Sequence, residues 1–314
     1  MTRIDRPDQQ PFRGILCKIL SVVTFVAMAA CIKSASATVP AGETVFFRSA
    51  FALPIIFGWL AIRGQLSTGL RVASPMAHMF RGFAGTSAMA LGFAGLAFLP
   101  LPEFVAIGYT APLLVVIFAA MFLGEEVRLF RMSAVALGFV GVAIILAPRL
   151  TVLSGGLEMS ASFGALLVLM SACFAALAQV FIRNLVRTET TTAIVFWFTI
   201  SSTCFSLLTI PFGWVLPDPA TFAILVLAGL LGGCGQILLT SSYRYAEASL
   251  VAPFEYVSML VSIAIGYAVF GEVPSLAVLG GAVVVIMAGV LIIWRERQLG
   301  LQRGKARGTT TPHG

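Results

Sequence analysis

The residues Val251–Glu272, read VAPFEYVSMLVSIAIGYAVFGE, lie without a gap over Phe104–Glu125, read FVAIGYTAPLLVVIFAAMFLGE. At this offset of 147, Tyr256 falls on Tyr109, Gly271 on Gly124 and Glu272 on Glu125, while Gly229 and Gly232 fall on Gly82 and Gly85. Near the C-terminal end GVLII from Gly289 matches GVAII from Gly141 at 148, and near the N-terminal end Gly164, Ser171 and Arg183 match Gly14, Ser21 and Lys33 at 150. The chain is one unit used twice.

Composition decides what the unit is made of. Of 314 residues 59% are hydrophobic and 11% charged, with a mean hydropathy of +1.00, far from the roughly one-quarter charged share of a soluble domain. The apolar residues come in blocks of about 20, the length at which a helix crosses ~30 Å of hydrocarbon; short alternating strands of a barrel are excluded. Ten blocks are read, at 14–36, 43–62, 74–97, 102–123, 131–148, 161–183, 191–213, 220–243, 249–270 and 276–294. LPLP at 99–102 and LPDP at 216–219 punctuate them. The first block is longer than a signal-peptide apolar region and is followed by further spans, so it is read as a retained helix.

The expected fold is an all-α integral membrane protein of ten transmembrane helices arranged as two five-helix repeats. Five spans is an odd number, so the second unit enters from the opposite face and the repeats are inverted. The expected division is a tail at 1–13, a first repeat at 14–148, a connecting loop at 149–160, a second repeat at 161–294 and a basic, disordered tail at 295–314. Arg63, Arg71, Arg128, Arg183, Arg187, Arg244 and Arg295 gather on the side of the N-terminus, against Lys33 and Arg149 on the other. By the positive-inside rule both termini are cytoplasmic. The net charge of +7 then suits anionic lipid headgroups rather than nucleic acid. Five scattered cysteines and two distant histidines indicate no disulfide framework and no metal site, and the cysteines are read as small buried apolar residues. No cofactor is implied, and a homodimer is compatible with the sequence.

Charges inside the blocks carry the chemistry, because each costs a few kcal/mol at a helix centre unless it has a partner, a cavity or an escape. Lys18 is read as snorkelling to the near surface beside Arg13. Lys33 and Glu43 are read as solvated ends, and Glu125, Glu126 and Glu272 as turn residues. Arg81 is assigned a structural role, and Glu103, just after Pro102, suits a helix N-terminus as well as a pathway. Arg48 is placed to hold an anionic or carbonyl group or to pair with a carboxylate. Glu255 is the main candidate, since it lies opposite Gly108 and so belongs to one unit only. Ser258, Ser262 and Gly266 continue its helical face. Further stripes run through Gln236, Thr240 and Tyr243, and through Ser171, Ala175 and Gln179; polar contact between helices explains them equally well. Tyr109, Tyr256, Phe196, Trp197 and Phe198 are suited to stack on a planar solute or to fill the core. Gly280 and Gly281 are read as allowing close backbone approach.

Two five-helix units, each with a Gly-Glu pair before a last glycine-containing helix (Gly124-Glu125 and Gly271-Glu272), resemble the EamA type of the drug/metabolite transporter superfamily. The likeness spans nearly the whole chain. It implies ten helices, cytoplasmic termini, a bacterial inner membrane and movement of small organic solutes. FFRSA at 46–50, LPLPE at 99–103 and AIGY at 106–109 are similar to a branch that includes riboflavin uptake proteins. Three function classes are weighed. The first is a secondary transporter driven by gradients, since no phosphate-binding GxxxxGK[ST] loop is present; the resemblance implies riboflavin uptake, with export of an amino acid or another metabolite the alternative. The second is an intramembrane lipid-modifying enzyme, for which no carboxylate pair, metal set or activated His stands out and no acid lies beside His78 in the sequence. The third is a receptor or scaffold, which would want a longer soluble segment.

Overall fold

The computed structural model describes residues 10–62, 64, 72–123, 129–150, 156–185, 189–246 and 248–308. The turn Gly124-Glu125, with Glu126 and Arg128, lies outside them, as does the side chain of Tyr243. The described residues form helices and no strand: α1 (Pro11–Ala35), α2 (Ala41–Ala50), α3 (Leu53–Ile62), α4 (Pro75–Leu96), α5 (Leu101–Gly108), α6 (Thr110–Leu123), α7 (Leu129–Leu150), α8 (Gly156–Leu185), α9 (Thr191–Leu207), α10 (Pro219–Tyr245), α11 (Ala248–Val251), α12 (Val257–Phe270) and α13 (Leu276–Gly308). Short 3₁₀ segments run from Ile210 to Phe212 and from Ala252 to Tyr256.

Seven segments are long and apolar enough to cross a membrane: Pro11–Ala35, Ala41–Ile62, Leu101–Phe122, Ser160–Ile182, Pro219–Ser242, Ala252–Phe270 and Leu276–Arg295. Met132–Pro148 and Thr192–Leu207 are shorter apolar helices, and α4, which carries Arg81 and several glycines, is the other long one. Two boundaries differ from the sequence reading. α8 begins at Gly156, inside the expected connecting loop, and α13 continues past Trp294 to Gly308 instead of giving way to a disordered tail.

Helix ends follow local chemistry. Pro occupies the first turn of α1, α4 and α10, where its missing N–H costs no bond. Asp218 caps α10 by accepting from Ala220 and Thr221 N–H at 2.9 and 3.2 Å; the Thr221 hydroxyl, then these amides, hold its carboxyl below the usual carboxylate range. Two expected spans are broken. Pro54 cannot bond to Ala50 C=O, and the chain turns at Phe51–Ala52 between α2 and α3. Pro112 likewise frees Gly108 C=O, and α5 gives way to α6 at Tyr109. In the other half the 3₁₀ segment holding Pro253 ends at Tyr256. The two repeat-matched tyrosines thus sit at matching breaks.

Much of the packing is repeated under exchange of the halves. α1 packs on α10 as α8 packs on α4; α2 packs on α10 as α9 packs on α4; α1 meets α12 as α8 meets α6. The pairs α2 with α9 and α7 with α13 map onto themselves. Side chains obey the same exchange. Ser21 Oγ donates to Gly235 O at 3.0 Å, and its repeat mate Ser171 donates to Ala88 O at 2.6 Å; Gly235 and Ala88 are themselves 147 apart. The Tyr109 and Tyr256 rings touch edge to face, 5.2 Å between centroids.

Glycines set how close the helices come. At the α7–α13 crossing a Cβ on Gly281 would lie 2.6 Å from Gly141 O, and one on Gly141 would lie 2.8 Å from Gly281 O. Gly280, expected to share this role, has nothing within 4 Å of a Cβ. Gly281→Ala is therefore expected to lower stability by about 1–3 kcal/mol through overpacking. Gly280→Ala should leave it unchanged or raise it by up to about 1 kcal/mol through helix propensity. Thermal unfolding of the two variants in detergent checks this; equal effects would show that the crossing does not depend on contact at Gly281.

Candidate solute site and its ion pairs

Glu255 lies in the 3₁₀ segment that opens α12, and its carboxylate meets Lys18 Nζ from α1. Lys18 does not snorkel: its side chain is 2% exposed, whereas that of Glu255 is 46% exposed. A cation so deep needs a counter-charge, because the effective cost of burying an unpaired ion is several kcal/mol. At the matching crossing of α8 with the α5–α6 break, the sequence places Val168 opposite Lys18 and Gly108 opposite Glu255. Val168 is buried in an apolar cluster with Ala106 and Ile107, and a Cβ on Gly108 would meet nothing within 4 Å. At these matched positions one half carries a valine and a glycine and the other an ion pair.

The hydroxyls after Glu255 do not line a continuation of that charge. Ser258 Oγ shares a 2.6 Å hydrogen bond with the Tyr109 hydroxyl and donates to Glu255 O at 2.6 Å. Ser262, fully buried, donates to Met259 O at 2.9 Å. This stripe is the meeting of two helices, the plainer of its two readings. The same holds for Ser171, already committed to Ala88 O. Gln179 is exposed on α8 and Gln236 half-buried on α10, and among the described residues neither is bonded to Glu255 or to Arg48. Glu103 is buried in the first turn of α5.

A second staple holds the far end of α1. Lys33 pairs with Glu272 and donates to Leu99 O, while Glu272 Oε2 also accepts from Leu101 N–H at 2.7 Å. Gly271, at φ 65°, adopts the left-handed turn that only glycine takes without strain, and Glu272 N–H bonds back to Gly266 O at 3.0 Å. Lys33 is thus no solvated end. Nor is Glu43, buried and accepting from Val215 N–H at 3.0 Å. His78 does have an acid beside it, Glu189 at 3.5 Å, which accepts from Ala73 and Ser74 N–H at the start of α4. The five cysteines are unpaired; Cys204 and Cys234 are exposed rather than buried.

Arg48 and Arg81 come together, which the sequence reading did not foresee. They stand on α2 and α4, 5% and 6% exposed, and both guanidinium groups lie over Phe198 of α9, at 6.0 and 3.8 Å from the ring centroid. Among the described residues neither forms an ion pair, and Arg48 Nε, Arg81 Nε and Arg81 Nη1 have no hydrogen-bond partner. A desolvated cation–π contact contributes about 2 kcal/mol, less than the several kcal/mol that burying each ion costs. The ring alone does not balance two like charges. Of the aromatic trio, Phe198 faces these arginines, whereas Phe196 packs with Ile56 and Leu60 in the core. Counting 150 residues on from Arg48 gives Phe198, so matched positions meet here as at the tyrosines. The signal that would have found Lys18, Arg81 and Phe198 was in the repeat: Lys18 falls on Val168, Arg81 on Ala228 and Arg48 on Phe198.

Long apolar helices in two exchangeable halves, with buried charges where the halves meet, define a multi-span membrane protein built on a duplicated helical unit. The model of the EamA-like transporter family matches residues 12–147 and again 162–295. The chain belongs to the EamA-like transporter family, of the drug/metabolite transporter superfamily, and is a small-molecule transporter of that type. A pseudopaline exporter from Pseudomonas aeruginosa is 31% identical over 89% of this chain and 95% of its own length. A riboflavin transporter from Rhizobium johnstonii is 30% identical, covering 90% and 89%. An S-adenosylmethionine uptake transporter from Rickettsia bellii is 26% identical, covering 91% and 94%. A solved crystal structure shares the fold at a TM-score of 0.64 and 20% identity, over 91% of this chain and 98% of that one.

Proposed function

We propose that the chain is a secondary transporter of a small organic metabolite, working by alternating access between two inverted five-helix units in a bacterial inner membrane. In this reading α4, Met132–Pro148 and Thr192–Leu207 join the seven longer segments to make ten spans. The basic residues of alternate loops set both termini in the cytoplasm. Inverted units place a solute between them and expose it to each side by rocking. The observation that carries the reading is the Lys18–Glu255 pair, a charge introduced into one of two otherwise matching crossings. Such a pair is able to respond to a proton or a solute where its apolar counterpart is not. Tyr109 and Tyr256 belong to the breaks beside it, and Arg48 stands with Arg81 over Phe198; Glu103, Gln179, Gln236 and Tyr243 remain candidates from the sequence alone.

Riboflavin uptake is the first activity to test, supported by the likeness to the Rhizobium protein; metabolite export, supported by the Pseudomonas relative, is the second. Purified protein in proteoliposomes is expected to move a small organic metabolite across the bilayer, riboflavin being assayed first, with a rate that changes when a pH gradient is imposed. Complementation of a riboflavin auxotroph lacking its own importer gives a second readout. Surface expression without growth at low riboflavin would remove the flavin assignment. Absence of flux for a broad metabolite panel in folded protein would remove the transport mechanism.

A further inference from the structure

We propose that Arg48 and Arg81 form the binding site for a carboxylate of the transported solute, so that the natural substrate is a small organic acid. The inference deepens the transport reading and rests on it. Four observations support it. Both side chains are more than nine-tenths buried. Three of their nitrogens have no hydrogen-bond partner. Neither forms an ion pair among the described residues. The two come from different helices and converge on one ring, Phe198, supplied by the other half of the chain.

The surroundings are shaped for the arginine heads. A Cβ on Gly85 would lie 2.3 Å from Arg81 Nη1 and 2.6 Å from Phe198, and one on Gly232 would lie 3.1 Å from Arg48 Nε. These two glycines are repeat mates, one on each side of the cluster, and each gives up its side chain where a guanidinium group or the ring needs the room. Beside them the Thr86 and Ser202 hydroxyls bond to each other at 2.9 Å and offer no charge. Two planar forks of donors match the oxygens of a carboxylate, each able to take up N–H bonds in pairs. A neutral flavin would present carbonyl and hydroxyl oxygens and ring nitrogens, but no negative charge. The site sits where α2 and α4 of the first half meet α9 and α10 of the second, so a bound anion would contact both.

The experiment uses the full chain purified in detergent, with thermal unfolding and calorimetric titration against acetate, glutarate, citrate and benzoate. Choline chloride at equal ionic strength, sulfate and riboflavin serve as comparisons. At least one carboxylate is expected to raise Tm saturably, beyond chloride and sulfate, and Arg81→Gln and Arg48→Gln are each expected to weaken it at least tenfold. Without ligand, Arg81→Met is expected to raise Tm, because an unpaired buried cation is removed; a structural arginine would lower it on substitution. The proposal is overturned if no carboxylate exceeds chloride, if riboflavin or sulfate binds as well, or if Arg81→Met lowers Tm. Binding is read without flux, so lost carboxylate binding with intact flux of a neutral solute defeats this inference alone. Intact binding without any flux defeats the transport reading alone.

Discussion

Glu255→Gln is expected to reduce solute flux in proteoliposomes to less than about a tenth and to remove its dependence on a pH gradient, while the protein stays folded. Removing one member of a buried ion pair costs about 3–5 kcal/mol. Here the Glu255 side chain is 46% exposed, so solvent screening reduces the expected loss to about 1–2 kcal/mol. The double variant Lys18→Met/Glu255→Gln should recover that loss without recovering flux. The reason is in the fold itself, because the matching crossing already packs with Val168 and Gly108 in place of the pair. Flux that persists in Glu255→Gln with its pH dependence unchanged would show that the pair is only glue, and the coupling mechanism would fall while the fold stood.

The sequence made the duplication legible because matched residues at offsets of 147 to 150 are close enough in type to align, and the structure puts several of them in contact. Tyr109 meets Tyr256, and Ser21 and Ser171 make matching bonds. Glu255 was legible as the acid without a repeat mate. Its partner was not: Lys18 lies five residues from Arg13, and a pattern of apolar blocks gives any cation near a block end the surface as its default. A bond across 237 positions leaves no local trace. Lys33 and Glu43 were misread for the same reason. Arg81 was read singly, whereas its meaning lies in Arg48 and Phe198, brought to it by α2 and α9. Lys18, Arg48, Arg81 and Glu255 are charges without a charged repeat mate, whereas Lys33 and Glu272 have like-charged mates in Arg183 and Glu125.

That division predicts the opposite behaviour for the second acid of the same segment. Glu272→Ala is expected to lower stability by about 3–4 kcal/mol, more than Glu255→Gln does, while leaving measurable flux at temperatures where the variant remains folded. Lys33 and Glu272 are both mostly buried, at 15% and 16% exposure, so screening discounts their pairing little. The substitution also strips the acceptor from Leu101 N–H at the start of α5. Lys18 and Lys33 lie fifteen residues apart on α1, about 22 Å along a helix, and their partners open and close the segment Glu255–Glu272. One helix is therefore stapled to the other half at two levels, by a pair that the repeat retains and by one that it lacks. Thermal unfolding and flux on Glu272→Ala, Glu255→Gln and Lys33→Met/Glu272→Gln separate the two roles. If Glu272→Ala leaves Tm unaltered but stops flux, then the retained pair, not the unrepeated one, opens and closes the pathway.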